Sequence, residues 1–409
     1  MRIINLNSRA DTCARICVIA LGFSIPISVA LDNILLAVLL VAWIASGDFR
    51  GKFSTVRDNP VALAVLALFG LLVLGLAYGT RNPGDGLQYI GKYIDLLCMP
   101  VFLTLFRDPR TRELGLRAFL VAVMINLLAS HLAAQGLLYD NPVLIRAPQS
   151  PSGFKFSITH SLLMSYAAFQ LVLLAREERR GVLRILYIVL ALAAAHNIFL
   201  MVLSRTGYVV LTVLLLYFFV VTFKWRGVVT AMALSSVLIF TAYVGSDRFQ
   251  QRVDRAQEEI TAWRANQTAD TSVGVRMDFY LSSLQIIREH PVFGAGTGSF
   301  PAAFAATDTG KHLAAAFNPH NEYLLIASQI GLCGLACMIF LFCLQWRLAG
   351  RLLPPIYRDL ARGLVLMFVT GCMFNSFLLD HTEGLLFAWA GGLFFAGLKP
   401  PAIVAERVA

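Results

Sequence analysis

Residues 185–223 read ILYIVLALAAAHNIFLMVL-SRTG-YVVLTVLLLYFFVVTF, two apolar runs joined by four polar or small residues. Each run approaches the roughly 20 apolar residues that cross the hydrocarbon core of a bilayer as a helix. The whole chain of 409 residues has the same character, with 58% hydrophobic and 14% charged residues. Soluble domains are about a quarter charged. The sequence therefore predicts an all-α, polytopic membrane protein and excludes an ordinary soluble domain.

The hydropathy pattern predicts about twelve transmembrane helices, with a range of eleven to thirteen because the second and last are short. Polar residues collect at the flanks of these runs, and the apolar–polar alternation of barrel strands does not occur. The predicted spans are 13–30, 32–46, 60–79, 87–106, 115–135, 157–175, 183–203, 207–223, 227–245, 320–346, 362–379 and 383–398.

The basic excess of the chain is a topology signal. Lys plus Arg is 34 and Asp plus Glu is 24, a net charge of +10, and basic residues cluster in every second link between spans. Such clusters mark cytoplasmic loops, so both termini are predicted to be cytoplasmic. No basic run forms a DNA-binding face, and we therefore expect no nucleic-acid partner.

One long outside link divides the chain into three predicted regions. These are 1–245 with spans one to nine, a loop domain at 246–319, and 320–409 with spans ten to twelve and a short tail. Within the loop, apolar residues recur at helical spacing from Phe249 to Trp263, and a second helical run extends from Val275 to Glu289. We expect two amphipathic helices that lie on the membrane surface or cover a cavity.

Unusual polar residues collect at the predicted outer ends of the spans. The cytoplasmic links, by contrast, contain little besides basic residues. The outer motifs are Ser204-Arg205-Thr206-Gly207, Pro319-His320-Asn321-Glu322 and Asp380-His381-Thr382-Glu383, and the outer cations are Arg146, Lys155, Arg276 and Arg288. The sequence therefore predicts an active site on the outer face.

The arginines suit an anionic substrate. Arg205 begins a span, where free backbone N–H groups and the helix dipole favour an anion, and its guanidinium is a forked donor for phosphate oxygens. Arg276 and Tyr280 are four residues apart and share a helix face. The structural alternatives are a headgroup anchor for Arg205 and a surface salt bridge for Arg276. Lys92 and Asp95, within one span, are interpreted as neutralising each other.

His320 is the candidate general base. It lies at the predicted start of span ten, where we expect Asn318 to cap the helix and the dipole to favour a neutral imidazole. Glu322 or Asp380 is expected to orient the ring, and Asp380 is the second candidate base. The alternative interpretation is an interfacial histidine bonded to backbone.

A metal ion or nucleotide cofactor is not expected. No Asp-x-Asp pair occurs, and no His/Glu spacing fits a metal site. Gly294, Gly296 and Gly298 are not followed by Gly-Lys-Ser/Thr, so they predict a sharp turn rather than a phosphate-binding loop. Nucleotide sugars are absent from the outer face, so the substrate must arrive already activated, as on a lipid-linked pyrophosphate.

Residues from about 196 to 330 resemble the O-antigen ligase/polymerase superfamily of bacterial inner-membrane proteins. The matching features are Ser204-Arg205-Thr206-Gly207 at a helix start, Gly274-Val275-Arg276 with an aromatic residue shortly after, HPVFGAGTGSF at 290–300, and Pro319-His320-Asn321-Glu322-Tyr323-Leu324. Each motif alone is weak, but their order and their common side of the membrane are fairly specific. They span about a third of the chain, and the rest is similar only in topology.

This resemblance implies a metal-independent, GT-C-like glycosyltransferase with a periplasmic active site. Such enzymes move a polysaccharide from undecaprenyl pyrophosphate to lipid A-core (ligases), to another lipid-linked repeat (polymerases) or to protein Ser/Thr (O-oligosaccharyltransferases). The two-helix loop and the His-Asn motif are more similar to the ligases, so we expect a ligase, with a polymerase as the alternative. A lipid or sugar transporter and a non-catalytic scaffold are the candidates from other classes.

The resemblance also implies roles for individual residues. Arg205 and Arg276 would neutralise the pyrophosphate of the donor, and His320 would deprotonate the acceptor hydroxyl, with inversion at the anomeric carbon. Asp380 would support His320. Further contacts to substrate are expected from Lys155, Arg146, Arg288, Tyr280 and Asn321.

Overall fold

The computed structural model of the chain describes residues 2–79, 83–138, 150–202, 204–245, 247–265, 271–307 and 316–398. All regular elements in these ranges are helical, which confirms the predicted all-α class. The first nine helices are α1 (Arg2–Ser24), α2 (Val29–Ala45), α3 (Phe49–Arg57), α4 (Pro60–Leu74), α5 (Pro83–Tyr93), α6 (Cys98–Leu105), α7 (Pro109–Ala134), α8 (Ser157–Glu177) and α9 (Gly181–His196). The others are α10 (Arg205–Phe223), α11 (Trp225–Gly245), α12 (Asp247–Arg264), α13 (Ser272–Glu289), α14 (Phe300–Ala306), α15 (Glu322–Ala349), α16 (Pro355–Gly371) and α17 (His381–Phe395).

Six helical segments among the described residues are long and apolar enough to cross a membrane, and a seventh results if the bent pair α2 and α3 counts as one span. The six are Pro60–Ala77, Pro109–Ala134, Ser157–Glu177, Gly181–Met201, Arg205–Phe223 and Glu322–Ala349. These segments indicate a multi-pass membrane protein. The count of twelve spans and the cytoplasmic location of both termini stay predictions.

Several predicted spans are shorter or broken in the structure. The run 87–106 is divided into α5, a 3₁₀ turn at Ile94–Leu97 and α6. The predicted end of span 362–379 was wrong, because α16 ends at Gly371 and residues 372–380 form a non-helical link. Within this link, the side chain of Asn375 bonds to His320 and Asp380. The apolar residues around Asn375 made the segment look like the continuation of a span.

The two helices predicted for the long link are present as α12 and α13. The indole Nε1 of Trp263 donates to Asp278 Oδ1 at 2.9 Å, which joins them into one unit. The short α14 was not predicted. Its periodicity is too brief to read from sequence, and Thr307 at its end donates to Ser282 Oγ of α13 at 3.1 Å. The periplasmic location of this segment stays a prediction.

The helix α15 is interrupted at Ile330 and Gly331, where Gly331 has a φ of +66°. Such a break leaves backbone groups unpaired in an apolar environment unless another segment pairs with them. Residues 291–296 provide those partners. The bonds are Leu332 N–H to Pro291 O at 2.9 Å, Cys333 N–H to Val292 O at 3.2 Å, Ala295 N–H to Ser328 O at 2.8 Å and Gly296 N–H to Gln329 O at 2.8 Å. The segment that follows α13 is therefore fastened to α15.

The glycine turn at 294–298 completes this docking. Gly294, Gly296 and Gly298 all have positive φ, which confirms the predicted sharp turn. A Cβ atom on Gly296 would lie 2.1 Å from the Cα of Gly79, so only glycine permits the two backbones to approach so closely.

Gly296→Ala is expected to destabilise the folded protein by about 1–3 kcal/mol, because alanine is strained at a φ of +94° and its Cβ would clash with Gly79. Gly70→Ala is the matched control, since a Cβ there meets nothing within 4 Å. Thermal unfolding of the purified protein in detergent measures the difference. Equal unfolding temperatures for the two variants would contradict the close packing of the turn.

Candidate active site

The candidate site lies at the end of the bundle where α8, α10, α15 and α17 begin, hereafter the site end. Two non-helical stretches meet there, residues 316–321 before α15 and residues 372–380 before α17. The N–H of Glu322 donates to Cys372 O at 2.8 Å. Because the first N–H groups of a helix have no partner within that helix, four helix starts give this end a positive potential.

His320 lies just outside the helix that was predicted to begin with it. Its φ is +52°, a conformation that non-glycine residues seldom adopt and that is concentrated at functional sites. The helix α15 begins at Glu322 with Asn321 as its N-cap. Asn318 was wrongly predicted as that cap. Its Oδ1 instead accepts the N–H of His320 at 2.9 Å and so stabilises the left-handed turn.

A chain of hydrogen bonds orients the ring of His320. Its Nδ1 lies 3.0 Å from Asn375 Oδ1, and Asn375 Nδ2 donates to Asp380 Oδ2 at 3.1 Å. An Asp380 carboxylate accepts hydrogen bonds only, so the amide turns its NH₂ group toward Asp380 and its oxygen toward His320. Nδ1 then carries the proton, and Nε2 of a neutral ring is an acceptor without a hydrogen-bond partner among the described residues. The arrangement therefore presents a base at Nε2.

The charge of Asp380 is set by its surroundings. Burial raises the pKa of its carboxyl above the usual range, whereas the charges of Lys92 and His320 and the bond from Asn375 lower it. The amide of Asn375 bridges this carboxyl and the ring of His320.

Glu322, the other group expected to orient His320, has a different role. Tyr93 Oη donates to its Oε1 at 2.6 Å, and the N–H of Leu378 donates to its Oε2 at 2.9 Å. The side chain is fully buried. Glu322 thus ties α5 and the 372–380 link to the start of α15, and it supports the backbone on which Asn375 lies.

Two residues predicted to bind substrate meet at one carbonyl of this link. Tyr280 Oη and Asn321 Nδ2 both donate to Met373 O, each at 3.1 Å. Tyr280 belongs to α13 and Asn321 to the start of α15. The shared carbonyl therefore holds α13 over the segment that contains His320.

Arg205 begins α10, as predicted, with Ser204 as the N-cap. Its Nη2 lies 3.8 Å from Glu259 Oε2 of α12. The same carboxylate oxygen accepts the N–H of Val273, in the first turn of α13, at 3.1 Å. Arg205 is therefore beside the start of α13, although it is distant from that helix in sequence.

The first turns of α13 connect the Arg205 position with His320. Phe279 lies about 9 Å along the helix from Val273, and its ring centroid is 6.2 Å from that of His320. Arg276 is one turn before Phe279 and Tyr280 on the same face. Its guanidinium has no hydrogen bond or ion pair with any residue that the structure describes. Along α13, Arg276 thus lies between Val273, which is beside the Arg205–Glu259 contact, and Phe279, which is beside His320.

Lys155 belongs to a buried network beside this site. Its Nζ donates to Thr382 Oγ1 at 3.2 Å and lies 4.0 Å from Asp32 Oδ2. The residue is 8% exposed. Burial lowers the pKa of its ammonium group, whereas Asp32 and Glu383 raise it. Lys155 therefore anchors the start of α17 instead of facing the His320 ring.

One of the predicted cations that the structure describes is not assembled with the others. Arg288 is exposed in the last turn of α13, about 18 Å along the helix from Arg276. Arg146 lies outside the described residues. The proposed contact of Arg288 with the same ligand as Arg276 has no support in this arrangement.

The pairing of Asp95 with Lys92 was predicted wrongly. Asp95 Oδ2 lies 2.8 Å from His381 Nδ1, because the 3₁₀ turn at Ile94–Leu97 changes the direction in which Asp95 projects. Lys92 Nζ instead lies 5.0 Å from the centroid of the Phe317 ring. This His381–Asp95 pair joins α17 to the α5–α6 break.

Sequence reasoning missed Asn375 and the His381–Asp95 pair. Asn375 lies in an apolar stretch that was assigned to a span, and its polar neighbour Ser376 was the only signal that the span ends early. His381 was visible within the motif at 380–383, but its partner is remote in sequence and nothing local indicates it.

Comparison with known proteins finds a family match for part of the chain. Residues 186–339 match the family described as O-antigen ligase, and this segment contains Arg205, Arg276 and His320. An uncharacterized protein of Haemophilus influenzae is 24% identical over 147 residues, which are 34% of this chain. The match spans only 37% of the length of that relative. The resemblance to the O-antigen ligase/polymerase superfamily is confirmed by the family match.

Glu322→Ala is expected to destabilise the site end by about 1–3 kcal/mol for each buried group that it leaves without a partner. Tyr93→Phe removes only one of the two bonds to Glu322 and should cost less. Chemical denaturation of the two purified variants and the wild type gives the free energy of unfolding of each, which should fall in the order wild type, Tyr93→Phe, Glu322→Ala. A Glu322→Ala protein as stable as the wild type would contradict the anchoring role.

Proposed function

We propose that this chain, which carries an O-antigen ligase domain at residues 186–339, is an O-antigen ligase of the bacterial inner membrane. It transfers O-antigen polysaccharide from undecaprenyl pyrophosphate to a sugar hydroxyl of lipid A-core, with inversion and without a metal ion. The site end faces the periplasm and both termini face the cytoplasm, because the basic links lie at the opposite end. The observation that carries the proposal is the ring of His320, which is bonded through Asn375 to Asp380 and packs against Phe279 of α13, the helix on which Arg276 lies one turn earlier.

His320 is the general base in this proposal. The bonds through Asn375 to Asp380 place the proton on Nδ1, so Nε2 can accept the proton of an acceptor hydroxyl. When the ring becomes positively charged, Asp380 stabilises it through the oriented amide. A merely structural histidine in an interfacial turn would not require a carboxylate behind its hydrogen-bond partner.

Arg205 and Arg276 bind the pyrophosphate of the donor. Arg205 lies beside the first turn of α13 and Arg276 lies in its second turn, and the positive end of this helix also favours an anion. Guanidinium groups offer forked donors that match phosphate oxygens. The undecaprenyl chain extends into the bilayer, and the sugar lies between the arginines and His320.

The reaction is one displacement at the anomeric carbon. Nε2 of His320 takes the proton of the acceptor hydroxyl while the hydroxyl oxygen bonds to that carbon. The bond from the carbon to the phosphate oxygen breaks, and its electron pair leaves with undecaprenyl pyrophosphate. Arg205 and Arg276 stabilise the negative charge that develops there, as an oxyanion site does. The proton on His320 passes to solvent, and the new glycosidic bond has inverted configuration.

A polymerase would use the same groups with another lipid-linked glycan as acceptor, and it is the alternative within the superfamily. A lipid or sugar transporter is the alternative of another class. Transporter sites lie near the midplane of the membrane between related halves, whereas His320 precedes a helix at one end of the bundle. The transferred product separates all three functions, since a transporter makes none.

Arg276→Ala and Arg288→Ala form a matched test on one helix. Arg276→Ala and Arg205→Ala are expected to lower kcat about 10²–10³-fold, and His320→Ala about 10²–10⁴-fold. Arg288→Ala should retain transfer, because this residue is remote from the others. The assay follows transfer of a labelled undecaprenyl pyrophosphate-linked glycan to rough lipopolysaccharide by equal amounts of folded protein. Normal transfer by His320→Ala, or equal loss in both α13 variants, would contradict the assignment.

Asp380→Asn is expected to reverse the tautomer of His320. The new amide can donate to Asn375, which then turns and offers its own N–H to Nδ1. Nε2 would carry the proton and no longer act as a base, so kcat should fall about 10²–10⁴-fold with little change in donor KM. Nitrogen-15 NMR of histidine-labelled protein reads the tautomer, with His320→Gln to assign the signal. An unchanged tautomer and rate would overturn the role given to this chain of bonds.

A further inference from the structure

Glu259 of α12 occupies a position that suits a phosphate group. Its Oε2 lies 3.8 Å from Arg205 Nη2 and accepts the N–H of Val273 at 3.1 Å. The side chains of Arg205 and Glu259 are 33% and 19% exposed to solvent, respectively. An anion that arrives from outside the bundle can therefore reach this contact.

The groups around Oε2 are those that bind phosphate. A guanidinium, an N–H in the first turn of α13 and the positive end of that helix converge on one carboxylate oxygen. The Nε of Arg205 is buried and has no hydrogen-bond partner in the described parts of the chain. A single carboxylate oxygen thus leaves part of the guanidinium fork unused, whereas a group with several oxygens would engage it.

We propose that Glu259 is an internal competitor for the pyrophosphate of the donor. It neutralises Arg205 while the site is empty and yields to the incoming pyrophosphate. It returns when undecaprenyl pyrophosphate leaves. The proposal rests on the proposed function, because it takes Arg205 as part of the pyrophosphate site. One carboxylate of α12 thereby lowers the affinity of the site for both the donor and the leaving product.

The observed contact is weak enough to be exchanged. A distance of 3.8 Å exceeds the roughly 2.7–2.9 Å of a charge-assisted hydrogen bond, and partly exposed ion pairs contribute little to stability. A pyrophosphate carries more negative charge than one carboxylate and presents more acceptors. Donor binding therefore displaces Glu259, and re-formation of the pair offsets a small part of the free energy with which the product is held.

Glu259→Gln is the decisive variant, because glutamine removes the charge but keeps an oxygen for the N–H of Val273. Glu258→Gln is the matched control, since Glu258 is the preceding residue of the same helix and is exposed. The measurements are donor KM for an undecaprenyl pyrophosphate-linked glycan and inhibition of transfer by inorganic pyrophosphate, both with purified protein in detergent. We expect Glu259→Gln to lower both constants about two- to fivefold, and Glu258→Gln to match the wild type.

A binding measurement separates failure of this inference from failure of the proposed function. Inorganic pyrophosphate should raise the unfolding temperature of Glu259→Gln more than that of the wild type, whether or not transfer occurs. A wild type without any transfer, but with this difference in binding, would overturn the proposed function and support the competitor. Active wild type with equal KM, inhibition and unfolding shifts in both Gln variants would overturn the competitor alone. A higher donor KM in Glu259→Gln would also overturn it, since it would show that the charge aids binding.

Discussion

Backbone hydrogen bonding at the break in α15 is the constraint on which the site depends. A helix interrupted at Ile330 and Gly331 needs partners for its freed N–H and C=O groups, and residues 291–296 provide them. The segment that contains α12 and α13 is thereby fixed to the bundle at the end of α13. Nearer the start of that helix, Phe279 packs against the ring of His320, so the backbone pairing at the break positions the helix that contacts the candidate base.

The chemistry of the site is divided along α13. A cation and the positive end of the helix lie near its start, where Arg205 meets Glu259. The candidate base lies about two turns further, where Phe279 packs against His320. The proposed donor is divided in the same way: its charged leaving group fits the cationic region, and its neutral anomeric carbon lies toward the base. The proposed function follows from the separation of the two regions, and the competitor role of Glu259 follows from what fills the cationic region when no donor is present.

Local patterns predicted the helices of the long link, the start of α10 at Arg205 and the sharp turn at 294–298, because each depends on residues close in sequence. Partnerships across the fold were not predictable from one sequence. Asn375 reaches His320 from 55 positions away, and burial of Lys155 depends on α2 and α17. Predicted ends of spans were wrong for the same reason. A break in a helix, such as that in α15, is tolerated only where a distant segment pairs with the freed backbone groups, and one sequence does not show that segment. The order of the motifs identified the superfamily, but Asn375, whose amide orients His320, belongs to none of these motifs.

The most direct test of the central claim, that arginines replace a divalent cation and His320 activates the acceptor, is transfer in the presence of EDTA. Purified protein would be given an undecaprenyl pyrophosphate-linked glycan and rough lipopolysaccharide, and lipopolysaccharide of higher mass would be sought on a gel. The account predicts the same amount of this product with and without the chelator. Product that forms only after a divalent cation is restored would contradict it, and extension of the lipid-linked glycan in place of lipopolysaccharide would identify a polymerase.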